Sequence, residues 1–387
     1  MPESPAVVTP VIAAHWLSER LGVPVLLKCE NLQRTGSFKI RGAFTRISRL
    51  SAEERSGGVV AASAGNHAQG VALAAQQLGI ECTVFMPEGA PIPKVEATES
   101  YGARVVLQGR YLEDCLLLAG DFAAQTGAIL IHPFDHPDII EGQSSAGVEI
   151  LEQIPDLRTV LVPTGGGGLI GGVARVIKAH DPTIRVVGVQ AEQAAAFPAS
   201  LAAGAPIRLD SMSTMADGIA VGRPGDLTLP LVRAYVDEIR TVSEESLSQA
   251  LLQVVERAKL VTEPAGAAAV AALIDDPEGW EGPVCVVLSG GNLDPLLLGK
   301  VVAHGMAAAG RYLALRVTLP DLPGGLASLL GLIADAGANV VDVAHARTSA
   351  RLHLAEVEVL VQLETRGPEH AAEVESRLVG AGYRVRT

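Results

Sequence analysis

The stretch Asn31-Leu-Gln-Arg-Thr-Gly-Ser-Phe-Lys39-Ile-Arg-Gly-Ala-Phe44 contains a lysine at a change of structural pattern. Residues 24–28, PVLLK, form a short apolar run that is typical of a buried strand. Residues 40–50 repeat apolar side chains at the spacing of a helix. We therefore expect Lys39 to lie on a loop where a strand leads into a helix.

This position suits a reactive amine. Thr35 and Ser37 are residue types that cap helix N-termini, and Gly36 suits the tight loop between them. An amine that faces helix N-terminal dipoles and apolar neighbours loses its proton readily and can form an imine. The alternative is a solvated surface lysine, although the chain has only six lysines against 24 arginines. Lys39 is therefore the candidate catalytic residue.

Length and composition exclude several classes of protein. The 387 residues are 48% hydrophobic, which is enough for two or three domains with sizeable cores. A net charge of −13 without a basic block, and 3% aromatic residues, argue against nucleic acid or membrane partners. No apolar run reaches about 18 residues, and the N-terminus lacks a signal-peptide pattern. Four scattered cysteines favour reduced thiols, no zinc site and a cytoplasmic location.

Strand and helix patterns alternate through most of the chain. A helix is predicted over residues 13–21, an irregular region over 194–230 and a helix over 243–259. The near-continuous apolar strands of this alternation predict an α/β fold with parallel sheet covered on both faces. From residue 311 the order becomes βαββαβ, including a strand over 354–363, which predicts a ferredoxin-like domain.

Two glycine-rich stretches follow predicted strands. The first, Thr164-Gly165-Gly166-Gly167-Gly168, opens a helix, where unshielded N–H groups and the helix dipole favour a phosphate. A flexible turn is the alternative for this stretch. The second, Ser289-Gly-Gly-Asn292, is only a turn when it is considered alone.

A third motif, Ser63-Ala64-Gly65-Asn66-His67, also opens a helix after a strand. The N-terminus of a helix is a natural site for a carboxylate, so these residues are candidates for substrate binding. The alternatives are a helix that Asn66 only caps, and a histidine with a structural role.

These motifs resemble those of one enzyme family. Ser37-Phe-Lys39-Ile-Arg-Gly-Ala43 is similar to the cofactor-lysine motif of the β-family (fold type II) pyridoxal-phosphate enzymes, of which the serine/threonine dehydratases are nearest. The other motifs occur in the family's order over roughly residues 5–305. The resemblance implies a two-lobed, tryptophan synthase β-like catalytic domain at 1–308, with the smaller lobe at about 45–140. Pyridoxal 5'-phosphate would bind in the cleft between the lobes.

The resemblance also implies roles for individual residues. Lys39 would hold the cofactor and remove the substrate Cα proton. The glycine loop would bind the cofactor phosphate, Asn66 the ring hydroxyl, and Ser289 would face the ring nitrogen. A neutral hydroxyl at that nitrogen makes the ring a weaker electron sink, which favours β-elimination over transamination. Glu263 and segment 215–221 match regions near the substrate, with a solvated carboxylate as the equal alternative for Glu263.

Two positions depart from the related serine racemases. Ala64 replaces a serine that acts there as a second base, and alanine cannot transfer a proton. Glu192 and the backbone of Ala196 match two ligands of a divalent-cation site, but Pro198 stands at the third, acidic position. We therefore expect no divalent-metal site, whereas a monovalent ion remains open.

The turn Asp321-Leu-Pro323-Gly324 resembles the ligand loop of ACT domains, which are small amino-acid-binding modules of metabolic enzymes. It implies that residues 311–387 form an ACT-like regulatory domain that binds an amino-acid effector such as isoleucine or valine. The alternative is a domain that only assembles subunits. A homo-oligomer, either a dimer or a tetramer, is expected.

Taken together, the resemblances imply β-elimination of L-threonine to 2-oxobutanoate and ammonia, a reaction that would serve isoleucine biosynthesis. L-Serine dehydration and, less favoured, serine racemisation are the alternatives. One methyl group in a pocket is worth about 1–3 kcal/mol, so the sequence does not rank threonine over serine. An amino-acid sensor with a decayed catalytic domain is a further alternative, against which the intact Lys39, Asn66 and Ser289 argue.

Overall fold

The computed structural model describes residues 3–346, 353 and 355–386. It divides into two compact units, Met1–Leu297 and Leu298–Thr387. The strands described in the first unit are β1 (Val11–Ala13), β2 (Val25–Lys28), β3 (Val59–Ala62), β4 (Cys82–Met86), β5 (Arg104–Leu107), β6 (Ile129–Leu130), β7 (Thr159–Pro163), β8 (Arg185–Ala191), β9 (Glu238–Val242) and β10 (Val284–Val287).

These strands form two sheets. The larger sheet has the order β1-β2-β10-β7-β8-β9 and is parallel apart from the pair β1 and β2. The smaller sheet, β5-β4-β3-β6, is parallel throughout. Strands β3, β4, β7 and β10 are buried along their whole length, because helices cover both faces, and this explains their continuous apolar runs. The predicted parallel α/β architecture is confirmed.

Helices alternate with the strands of both sheets. Those of the first unit are α1 (His15–Leu21), α2 (Lys39–Ser48), α3 (Ala52–Ser56), α4 (Asn66–Leu78), α5 (Ile92–Ser100), α6 (Leu112–Thr126), α7 (Pro137–Gln153), α8 (Gly168–His180), α9 (Ala196–Ala203), α10 (Thr228–Tyr235), α11 (Glu244–Gln253) and α12 (Pro264–Asp275). One further helix, α13 (Pro295–Ala308), lies at the division between the units and was not predicted.

Several sequence-based predictions are wrong in detail. Ala13 ends an edge strand, because β1 pairs with β2, and the predicted helix begins only at His15. The region 194–230 contains α9 and the start of α10, and β9 was missed, since its Glu-Ile-Arg-Thr-Val pattern is only half-buried. The helix predicted over 243–259 leaves α-helical geometry at Gln253 and continues as a π-helical turn. In each case tertiary pairing or packing overrides the local pattern.

A buried cluster of four charges joins three elements of the first unit. Arg41 of α2 donates to Glu30 over 2.8 Å, and to Glu149 of α7 over 2.6 and 2.9 Å. Lys28 of β2 donates to the same Glu149 over 2.5 Å. Two cations and two anions balance inside the protein, and this hydrogen-bonded cluster fixes α2 two residues beyond Lys39.

The second unit has the predicted βαββαβ order. Its elements are β11 (Tyr312–Pro320), α14 (Gly325–Asp335), β12 (Asn339–Ala346), β13 (Glu356–Glu364), α15 (Pro368–Gly380) and β14 (Arg384–Arg386). The antiparallel sheet has the order β12-β13-β11-β14, and apolar side chains of both helices pack against it. Leu354, where the strand over 354–363 was predicted to begin, lies outside the described residues. Among the described residues, no helix has the length and apolarity that a bilayer crossing requires.

Candidate active site

A cavity of about 550 Å³ in the first unit brings together the predicted site residues. Its lining includes Lys39, Ser63, Ala64, Gly65, Asn66, His67, Gly165, Gly166, Gly167, Gly168, Glu263 and Ser289. Residues from both sheets contribute, because the loops that follow parallel strands meet at the same edge of each sheet. The volume is typical of a site for a cofactor or small molecule.

Lys39 is the first residue of α2, but the predicted caps do not hold this helix. Phe38 occupies the N-cap position, and no side chain caps it. Thr35 and Gly36 have φ values of 66° and 69°, which turn the chain sharply before the helix. The loop is held instead by backbone bonds to the Ser289 loop. The N–H of Phe38 donates to the Ser289 carbonyl over 3.2 Å, and that of Gly291 to the Gly36 carbonyl over 2.8 Å.

The amine of Lys39 is buried beside the cavity. Its Nζ donates to the Pro133 carbonyl over 3.0 Å and lies 5.1 Å from the centre of the Phe38 ring. Burial lowers the pKa of Lys39 to about 8, against the opposing attraction of Glu263. With this pKa, part of the Lys39 amine is neutral near pH 7 and can act as a nucleophile or base, while the ammonium form can act as an acid.

The glycine loop forms a cradle of free N–H groups at the start of α8. Within the described part of the chain, the four N–H groups of Gly165, Gly166, Gly167 and Gly168 donate to no protein acceptor. Gly167 has a φ of 97°, which favours glycine. These N–H groups at a helix N-terminus fit an anion such as a phosphate. The site therefore fits the phosphate and the imine-forming carbonyl group of pyridoxal phosphate.

Two residues that the sequence analysis missed hold this cradle in shape. The ring of Phe134 lies against the loop so closely that a Cβ on Gly166 would approach it to 2.5 Å. The carboxylate of Asp135 accepts the N–H groups of Asp226 and Leu227, each over 2.9 Å, at the start of α10. Thr228 of that helix donates its hydroxyl to the Gly166 carbonyl over 2.6 Å. Phe134 and Asp135 lie in the loop that follows β6, at the strand end where ligand-binding loops are expected.

Asn66 and Glu263 form a hydrogen-bonded pair on the wall of the cavity. The Nδ2 of Asn66 donates to Oε1 of Glu263 over 2.6 Å, and Oδ1 of Asn66 accepts from Asn292 over 2.8 Å. Glu263 is only 3% exposed, and burial, together with the charge of Asp217, raises the pKa of its carboxyl group to about 7. The solvated alternative for Glu263 is therefore wrong.

Only some of the backbone N–H groups at the predicted carboxylate site are free to bind a substrate. The N–H of Ser63 donates to the Phe85 carbonyl and that of Gly65 to the Ser63 hydroxyl, so both are occupied. His67 bonds the Ile131 carbonyl through Nε2 over 2.8 Å, and burial lowers its pKa to about 3. A neutral His67 whose Nε2 proton is engaged by a backbone carbonyl is consistent with a structural side chain, which was one of the alternatives.

An ion pair lies beside the cavity. Lys94 of α5 donates to Asp217 over 2.8 Å, and both residues contribute to the cavity lining. Asp217 belongs to the segment 215–221 that was predicted to lie near the substrate. Among the described residues, no group of three or more acidic, histidine or cysteine side chains is arranged to hold a metal ion.

Comparison with known proteins identifies the family. The family model for pyridoxal-phosphate dependent enzymes matches residues 4–290. The chain belongs to this enzyme family. The predicted relationship and the predicted cofactor are therefore confirmed.

Individual members of the family are similar over most of the chain. An L-threonine ammonia-lyase of Geobacter sulfurreducens is 47% identical over 378 residues, which cover 97% of this chain and 94% of the relative. A processed threonine deaminase isoform 2 from Solanum lycopersicum has a TM-score of 0.74 at 37% identity, covering 79% of this chain and 84% of that one. Maize serine racemase has a TM-score of 0.73 at 37% identity, covering 76% and 91%.

Proposed function

We propose that this enzyme converts L-threonine to 2-oxobutanoate and ammonia by β-elimination, as threonine ammonia-lyases do. The main support is one cavity that contains an amine with a lowered pKa and a four-glycine cradle without protein acceptors. The 47% identity to an L-threonine ammonia-lyase over 97% of the chain supports the same activity.

In this proposal, pyridoxal phosphate supplies the electron-withdrawing ring that makes the substrate Cα proton acidic. The N–H groups of Gly165–Gly168 would hold its phosphate, Asn66 would donate to its ring hydroxyl, and Ser289 would lie on the side of its ring nitrogen. Lys39 would be the residue that holds it through its amine. Free N–H groups of Ala64, Asn66 and His67 orient the substrate carboxylate.

The freed Lys39 then transfers the proton. Its Nζ takes the proton from Cα, the released electron pair forms the Cα–Cβ double bond, and the Cβ–O bond breaks. The hydroxyl leaves as water with a proton that the Lys39 ammonium returns. The released enamine, 2-aminocrotonate, then hydrolyses to 2-oxobutanoate and ammonia. Ala64 supports elimination over racemisation, because this cavity residue cannot exchange a proton with the substrate.

The test is the release of 2-oxo acid from the cofactor-loaded protein with L-threonine and L-serine in parallel. Faster 2-oxobutanoate release from threonine supports the proposal, whereas pyruvate from serine alone would assign serine dehydration. Lys39→Ala should abolish turnover. Lys178→Ala is the matched control, because Lys178 pairs with Asp237 on the surface. No oxo acid from either substrate, with cofactor bound, would contradict the proposal.

We further propose that the second unit is an ACT-like domain that confers feedback control. Asp321, Pro323 and Gly324 line a cavity of about 490 Å³, together with Leu326 and Leu330. Apolar walls beside the N-terminus of α14 suit a branched-chain amino acid, whose carboxylate would face the helix N–H groups. The alignment with the relative from Geobacter sulfurreducens covers 97% of this chain, so the similarity includes most of this unit.

The control is testable on the full-length enzyme. L-Isoleucine or L-valine should change the half-saturating threonine concentration by about 5- to 150-fold, the usual range of allosteric coupling. Leu330→Glu, which introduces a charge into this cavity, should remove the response without loss of basal turnover. An unchanged response in Leu330→Glu, or no response to any amino acid in the wild type, would contradict it. We also propose a homo-oligomer, a dimer or tetramer, and a cytoplasmic location, which four free buried cysteines support.

A further inference from the structure

Asn292 donates to two segments that contribute residues to the cavity. Its Nδ2 lies 2.6 Å from the Thr35 carbonyl, 2.8 Å from Oδ1 of Asn66 and 3.4 Å from Oε1 of Gln69. The first segment leads into Lys39, and the other two acceptors lie at the start of α4. Asn292 is thus in contact with the elements that present Lys39 and Asn66 to the cavity.

The hydrogen bond to Thr35 fixes which way the Asn292 amide points. A backbone carbonyl can only accept, so the NH₂ group of Asn292 must face Thr35. The same NH₂ group then donates its second hydrogen to Asn66, and this fixes Oδ1 of Asn66 on that side. The NH₂ group of Asn66 must consequently face the opposite way, toward Glu263.

The packing leaves little room for another arrangement. A Cβ on Gly36 would lie 2.3 Å from Oδ1 of Asn292, and a Cβ on Gly290 would lie 2.3 Å from Oε1 of Glu263. The absence of a side chain at Gly36 and Gly290 therefore allows the side chains of Asn292 and Glu263 to lie close to the backbone. Asn66 is half-buried and lines the cavity, so its orientation decides whether that wall offers a donor or an acceptor.

We propose that Asn292 is a positioning residue that sets the polarity of Asn66, so that the cavity wall offers an N–H donor to the cofactor ring. This inference rests on the proposed function, in which Asn66 donates to the ring hydroxyl. Asn292 does not line the cavity, so it acts on the cofactor through the residues that it bonds, namely Asn66 and the Thr35 turn before Lys39. Reversing the polarity of Asn292 should therefore place a second acceptor beside Asn66, which competes with Glu263 for the Asn66 NH₂ group and weakens its donation to the ring.

The experiment is a double-mutant cycle read by cofactor binding. Asn292→Asp keeps the shape of the side chain but has no donor, so it should attract the NH₂ group of Asn66 and weaken pyridoxal phosphate affinity about tenfold. In the Asn66→Ala background the same substitution should cost clearly less affinity than in the wild type, because only its effect at the Thr35 carbonyl remains. Asn31→Asp is the control, since Asn31 donates to the Val261 carbonyl in the adjoining loop and contacts neither Asn66 nor Glu263 in the described bonds. This control should bind within twofold of wild type.

The absorption of the bound cofactor gives an independent readout. Loss of the donor to the ring oxygen should shift the pH dependence of the spectrum in the same direction in Asn292→Asp and Asn66→Ala, which simple destabilisation would not do. Additive losses of affinity in the double variant, or wild-type affinity and spectrum in Asn292→Asp, would overturn the inference. A wild-type protein that binds cofactor but releases no oxo acid would remove the proposed reaction and leave this binding comparison intact. Asn292→Ala serves as the second variant if Asn292→Asp does not fold.

Discussion

Replacing Gly166 with alanine should weaken pyridoxal phosphate binding by about 10- to 100-fold. The added Cβ would lie 2.5 Å from three atoms of the Phe134 ring, well inside an ordinary carbon contact. The ring cannot move freely, because it packs edge-to-face against His132 with centroids 4.7 Å apart. Overpacking of this kind costs about 1–3 kcal/mol, and each 1.4 kcal/mol is a factor of ten in affinity. The strain falls on the cradle of N–H groups itself.

The assay is a titration of the cofactor-free protein with pyridoxal phosphate, followed by absorbance. Gly171→Ala, in the helix that follows the loop, is the matched control, since its Cβ would meet only Leu231 at an ordinary 3.5 Å. Phe134→Leu should reduce the cost of Gly166→Ala, because it removes the ring that the new methyl group meets. Wild-type affinity in Gly166→Ala, or an equal cost in the Phe134→Leu background, would refute the steric argument.

Three further predictions concern charges. In urea unfolding, Arg41→Met should lower the free energy of unfolding by about 3–5 kcal/mol, because it leaves two buried carboxylates with one cation. Arg49→Met, at a more exposed ion pair, should lower it by at most about 1 kcal/mol. Lys39→Met should stabilise the cofactor-free protein at pH 7, because folding lowers the pKa of Lys39 from 10.5 to about 8 and a charged Lys39 therefore opposes folding. The gain in the free energy of unfolding should vanish as the pH rises from 8 to 10.5. A difference in stability between the variant and the wild type that persists at high pH would contradict this. The pH profile of kcat/KM should show an ionisation near pH 7 that Glu263→Gln lacks, and coinciding profiles would exclude Glu263 as its source.

Patterns that depend on neighbours in sequence were predictable. The strand before Lys39, the helix at Asn66 and the glycine loop at the start of α8 all appear within one or two residues of their predicted bounds. Their apolar period and glycine content are local properties, so the sequence records them directly. Lys39 and the glycine loop line the same cavity in the structure.

Features that depend on distant partners were not predictable in the same way. The short strand β1 exists because β2 lies beside it, and neither Thr35 nor Ser37 caps α2, because the Ser289 loop holds that turn. Asp135 and Asn292 were missed because each bonds to residues far away in the chain, although Asn292 stands within a motif that was recognised. Glu263 was left undecided for the same reason, since burial is a property of the fold.

The pairing of the Lys39 loop with the Ser289 loop also bears on how the enzyme is made. Thr35 and Asn292 are 257 residues apart, and β2 pairs with β10 near the end of the first unit. At about 5–20 residues per second, a ribosome needs roughly 13–50 s between the two segments. A nascent chain that ends before Asn292 therefore contains Lys39 but lacks the Ser289 loop that pairs with the Lys39 turn. We therefore expect the cofactor to bind only after the whole catalytic unit has been synthesised.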